Sequence, residues 1–281
     1  MANGYESNLP TGRPGAPTTL GTVITAGGSA HTLSAAFTDI IASTSFAANR
    51  MRVILGGTTS SGTITNMLLN LYTGAASSET LMVSLLAGWS SLLTSGGSKI
   101  YDFPVTIPSG TRISSKAQAL VASQTVQVVL ELWEEGLSCG TAIESLGVDA
   151  TASRGTAVTP GTTAEGTFTA IGTSANAWNW AFAALEGNVD NTSVGGSYAA
   201  DIGTGGSPIS NLSDFVQTIT NAEVTALLGG GRRTSITAST ALQLRAQSSG
   251  TDTETKYYAL YGIYGTPTPA KQSGNMSGGM Q

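Results

Sequence analysis

The most regular feature of the chain is an alternation of apolar and polar positions that appears twice. In residues 126–133, Val126, Val128, Leu130 and Leu132 fall on one face, and Gln127, Val129, Glu131 and Trp133 fall on the other. In residues 257–264, Tyr257, Ala259, Tyr261 and Ile263 share a face. A period of two is the signature of a strand with one buried side. The segment before the first of these alternates too, Ile113, Ser115 and Ala117 against Ser114, Lys116 and Gln118, which turns the lysine toward solvent or a neighbour. Residues 51–55 and 178–185 are apolar at nearly every position and read as central strands. Turns such as Pro108-Ser109-Gly110, in which proline fixes φ and glycine accepts φ > 0, separate the runs. Residues 79–93 and 211–228 are long enough for helices. The first predicts mainly strand or loop, and the second a single helical turn near Asn221-Ala222-Glu223.

The alternating segments belong to a longer self-similarity. Residues 107–119 and 236–248 share the pattern I-x-[SA]-[GS]-T-x-[IL]-x-x-[KR]-A-Q-[AS], 129 residues apart (236 against 107). Four further matches keep nearly the same spacing: 71–74 with 202–205, 126–133 with 257–264, Phe37 with Phe168, and Gly21-Thr22 with Gly155-Thr156. Their order predicts a duplicated unit. The expected map is an N-terminal arm 1–18, a β-sandwich repeat 19–137, a connector 138–154, a second repeat 155–265 and a C-terminal tail 266–281. Seven or eight short strands per repeat suggest a jelly-roll-like sandwich. The Cys…Trp…Cys framework of antibody domains is missing, which disfavours the immunoglobulin-like alternative. The fold class expected is therefore all-β, two tandem sandwiches with extended ends.

Composition agrees. Charged residues are 10% of the chain and glycines number 36 of 281, too little charge to wet the outer faces of long helices. The formal charge of −5 and the scattered basic residues argue against a nucleic-acid surface. No apolar run reaches the ~20 residues of a membrane span, and no secretory signal is visible at the start, so synthesis in a cytoplasm is expected. The three N-x-[ST] sequons, at Asn191, Asn211 and Asn275, then carry no glycan.

Chemistry is sparse. His31, the single histidine, sits in a small polar turn, and Cys139 is the single cysteine. This leaves no Ser-His-Asp arrangement, disulfide framework or zinc site. Carboxylate pairs for a glycosidase could come from Glu131 with Glu134 and Glu135, or from Asp201 with Asp214. Solvated charge is by far the better explanation of them. Residues 203–207 look like a phosphate loop but lack the G-K-[ST] ending. No catalytic, cofactor-binding or metal residue is assigned. The aromatics Trp178, Trp180, Tyr257 and Tyr261 fit core, a subunit interface or a glycan platform.

At residues 201–207 (Asp-Ile-Gly-Thr-Gly-Gly-Ser) and 107–113 (Ile-Pro-Ser-Gly-Thr-Arg-Ile) the chain resembles virion structural proteins of tailed bacteriophages, the head decoration, head-fibre and tail- or collar-fibre proteins with small β-sandwich domains. The resemblance implies a part that assembles in many symmetric copies on a particle, bound to other capsid or tail and neck proteins. It also implies self-association, with a trimer as the default, while the charge and the lack of an apolar span leave no nucleic-acid or membrane partner expected. Tyr5 and Leu9 give the N-terminal arm apolar contacts that could anchor it on a neighbour. Two rival readings remain, a receptor- or host-glycan-binding sandwich and a glycan-cleaving enzyme.

Overall fold

The structure is a computed structural model and describes residues 4–8, 21–58, 65–88, 99–186, 196–219, 231–250 and 254–268. Every regular element among them is a strand. The first half contains β1 (Tyr5–Ser7), β2 (Thr22–Thr25), β3 (Thr38–Ile41), β4 (Arg50–Thr58), β5 (Met67–Thr73), β6 (Thr80–Leu86), β7 (Lys99–Phe103), β8 (Ile113–Ala119) and β9 (Thr125–Trp133). The second contains β10 (Ala142–Leu146), β11 (Thr156–Val158), β12 (Thr169–Thr173), β13 (Trp178–Glu186), β14 (Gly196–Thr204), β15 (Ser207–Pro208), β16 (Phe215–Ile219), β17 (Arg232–Ile236), β18 (Ala241–Ser248) and β19 (Lys256–Tyr264).

All pairings between these strands are antiparallel, and each half makes two sheets. In the first half one sheet runs β2-β9-β4-β7 and the other β3-β8-β5-β6, with β1 joining β9 beyond β2. In the second, one runs β11-β19-β13-β17 and the other β12-β18-β14-β16, with β10 joining β19 beyond β11. Taken in chain order, the two halves have the same strand order, and only the short β15 has no counterpart. The arrangement is compatible with a jelly-roll sandwich.

Inward positions explain why these segments are strands. On β9 burial alternates residue by residue, with Val126, Val128, Leu130 and Leu132 inward, and Val128, Leu130 and Leu132 stand beside Leu55, Val53 and Met51 across the β4 pairing. Thr22 pairs with Val128 and Thr156 with Tyr258, both buried and 130 apart (258 against 128), whereas Trp133 and Tyr264, which pair with Arg50 and Trp178, are 131 apart (264 against 133). In a strand a slip of one residue swaps the faces. Tyr257 and Tyr261 lie on the face of β19 opposite to Tyr258. Gly21 and Gly155 precede β2 and β11 in like fashion. A Cβ on either would lie 2.5 Å or 2.6 Å from a backbone oxygen of the closing strand, Val128 O or Tyr258 O.

Two stretches expected to be irregular are strands. Tyr5–Ser7, within the predicted arm, pairs with residues 131–133 of β9. Ala142–Leu146, within the predicted connector, pairs with residues 260–264 of β19. Neither carries a long alternation, so partner hydrogen bonds decide their conformation where local sequence does not. Residues 80–86 form β6, as strand and not helix. The Asn221-Ala222-Glu223 turn lies outside the described residues.

Candidate functional site: the face between the halves

One apolar cluster runs through both halves. The β6–β7 side of the first sandwich is closed by the second half. Tyr101 and Phe103 of β7 meet Trp180 and Phe182 of β13 and Tyr261 of β19, with ring centroids between 4.9 and 6.5 Å apart. Edge-on and tilted contacts of this kind add to the burial of large rings. The edge strand β6 is capped as well. Ser84 N donates to Ser145 Oγ of β10 at 3.1 Å, and Leu86 N donates to Tyr261 Oη at 3.2 Å. Tyr101 Oη donates to Leu86 O at 2.6 Å. An edge whose amides are satisfied by another element offers no template to a foreign strand.

The same contact holds a buried carboxyl. Glu186, at the end of β13, is fully buried, and Met67 N of β5 donates to its Oε1 at 3.4 Å. Burial pushes its pKa up to about 7, against the nearby Lys99, which favours the charge. Tyr101 and Tyr261 face the same pocket, and burial raises both phenols above their ordinary range.

The four aromatics singled out in the sequence all lie inside. Trp178 is 1% exposed, Trp180 6%, Tyr257 6% and Tyr261 0%. Trp180 and Tyr261 form the contact between halves, Trp178 donates its indole N–H to Glu144 of β10 at 2.8 Å, and Arg154 stacks over Tyr257 at 4.4 Å. Side chains so enclosed present no stacking platform to a sugar. For Trp180 and Tyr261 sequence could not tell this, because the enclosing wall is the other half of the chain.

The outer face of the β2-β9-β4-β7 sheet is the counterpart of that aromatic wall and has a different chemistry. Arg50 and Arg52 both stand over the Trp133 ring at 5.1 Å and converge on Asp102, Arg52 at 2.9 Å. Their hydrogen bonds hold the Asp102 carboxyl below its usual range although burial opposes this. Tyr5 of β1 leans on Trp133, with ring centroids 5.7 Å apart, and donates to Glu131 at 3.0 Å. Tyr5 is 51% exposed, and Asn8 pins the strand by donating to Val128 O at 2.9 Å and accepting from Leu130 N at 2.8 Å. Leu9 lies outside the described residues.

Two of the carboxylates considered for catalysis, Glu131 and Asp201, are engaged by arginines. Glu131 is 3.8 Å from Arg52. Asp201 is bound by Arg245 at 2.9 and 3.1 Å and accepts from Asp214 N at 2.8 Å. Glu165, which no sequence pattern marks, joins this group. Its hydrogen bond to Asp201 lifts its pKa, while Asp201 stays below the usual range despite burial. His31 has φ 57° and lies 3.0 Å from Ser153 Oγ through Nδ1, tying its turn to the loop before β11. Cys139 is buried, which raises its thiol pKa. Residues 203–207 make a tight β14–β15 turn with Gly205 and Gly206 both at positive φ, the geometry of a hairpin and not of a phosphate cradle.

No protein-family model matches the chain, and no curated protein sequence matches it. Among solved structures it is similar to the viral major capsid protein STIV MCP, with 13% identity, 86% of this chain and 96% of that one covered, and a TM-score of 0.34. It is similar to the same degree to PNGase F, a glycosylasparaginase from Flavobacterium meningosepticum, with 9% identity, 96% and 100% coverage and a TM-score of 0.33. Likeness this loose leaves function to the geometry of the chain itself.

Proposed function

We propose that the chain is a non-enzymatic structural protein of a virion, built as two copies of one jelly roll and acting by association with copies of itself and with other particle proteins. On a phage particle its place would be capsid decoration or cement, or a head or neck fibre. Jelly rolls are common in capsid proteins, but fold alone does not carry function. The observation that supports the reading is the way the halves join. The β6–β7 flank of one sandwich meets the outer sheet face of the next, a head-to-tail contact between like units. Such contacts propagate, and they close into rings when the rotation permits.

The molecule offers both ends of that contact again. The outer face with Arg50, Arg52, Trp133 and Tyr5 corresponds to the covered face of β13 and β19. The β16–β17 flank, where Val216 is 58% exposed, corresponds to β6–β7. Joined between copies, these surfaces would make a ring of six sandwiches from three chains. Native mass spectrometry of the purified protein tests this, with a trimer as the expected mass. A strictly monomeric protein at particle-like concentration, or one that binds or cleaves glycans, would overturn it in favour of the rival readings.

A further inference from the structure

At one end of the contact between the halves lies a cleft of about 590 Å³. Thr80, Leu81 and Met82 of β6 form one wall, the loop from Thr106 to Arg112 a second, and Ala142 and Ile143 of β10 with Tyr264 the third. Leu81 is 51% exposed, and Met82 packs on the margin of the core. Apolar side chains lining a concave site mark a place suited to an apolar occupant.

The chain itself arrives there. Thr268 Oγ1 is 2.9 Å from Oγ1 of Thr106, a residue of the cleft wall. Thr268 N donates to Ser138 Oγ at 3.0 Å, and Thr268 O accepts from Ser138 N at 3.3 Å. Tyr264, four residues earlier (264 against 268), lines the cleft as well. Pro267 and Pro269 flank Thr268 and restrict it to extended geometry. Residues 269–281 follow, a stretch that reaches at most about 45 Å, far more than the cleft needs. They contain Met276 and Met280 and no acidic residue. Methionine is unbranched and flexible, suited to filling an irregular apolar site.

We propose that the C-terminal segment 269–281 docks in this cleft of its own copy, with its methionines against Leu81, Met82 and Ile143. The inference stands on the cleft and its anchor and is independent of the virion reading.

A photoreactive benzoylphenylalanine at position 280 tests it. Irradiation of a dilute mixture of light- and heavy-isotope protein is expected to join position 280 to peptides containing residues 80–82 or 142–143, within one isotope type. Linked peptides of mixed isotope would overturn the proposal by placing the segment on another copy. Links elsewhere, or none, would overturn it too. A chain ending at Thr268 gives the second readout, with severalfold faster hydrogen exchange expected at the amides of residues 80–82. Unchanged exchange would count against docking.

Discussion

The Leu86 amide of the first half donates to the Tyr261 hydroxyl of the second at 3.2 Å, so an edge strand of one sandwich ends on a side chain of the other. Removing that hydroxyl leaves a buried N–H without its acceptor. Tyr261→Phe is expected to cost about 1–3 kcal/mol, the penalty of a buried unsatisfied group. Urea unfolding measures it. A variant as stable as the parent would mean that the bond between halves contributes nothing.

Glu186 makes stability depend on pH. Its carboxyl titrates near 4.5 when unfolded and at about 7 when folded, so the fold favours the protonated form. That contribution is fully present below pH 4.5, declines as pH rises, and is lost above about 7. The span corresponds to about 3 kcal/mol. Glu186→Gln is expected to remove this slope, gaining on the parent steadily between pH 4.5 and 7. Parallel curves for the two proteins would exclude Glu186 as the source.

Two glycines separate crowding from backbone strain. A Cβ on Gly262 would lie 1.8 Å from the Trp178 ring, whereas one on Gly110 meets nothing within 4 Å but sits at φ +78°. Gly110→Ala is expected to cost about 1 kcal/mol from the left-handed backbone alone. Gly262→Ala must displace a buried indole, and is expected to cost about 3 kcal/mol or to prevent folding. Thermal melts of the pair would show the order, and equal melting temperatures would contradict it.

Arg52→Glu reverses charge on the half-exposed outer sheet face without touching the core. Under the ring arrangement proposed above, trimer mass is lost while the monomer keeps its circular dichroism spectrum. An unaltered oligomer would place the interface elsewhere.

Cys139 lies enclosed near the junction, its carbonyl accepting from Asn179 at 3.0 Å. A thiol reagent is expected to label it slowly in the native protein and fully in urea. Fast native labelling would show that this junction opens readily.

How far the fold could be read from sequence depended on how much each segment decides alone. The alternation in β9 is complete because one face packs into the core and the other stays partly wet. In β19 every residue from Lys256 to Ile263 is buried, since its second face is covered by the first half. β9 therefore reads as alternation and β19 as a continuous apolar run, although both close their halves. β1 and β10 were hidden because their partners, and not their own residues, make them strands. Lys116 over Phe37 at 4.2 Å and Arg245 over Phe168 at 4.7 Å were foreshadowed by matched positions. The enclosure of Trp180 and Tyr261 was not, because it depends on how two sandwiches meet and no local pattern encodes that.

The aromatic seal has a consequence for synthesis. As the chain emerges, the first sandwich is finished by Trp133 while its β6–β7 flank still waits for rings that lie some fifty to a hundred and thirty residues further on. Until translation reaches Tyr261 the nascent chain carries an open greasy seam, a natural point of chaperone capture and a reason for fragments cut at the junction to precipitate unless mixed.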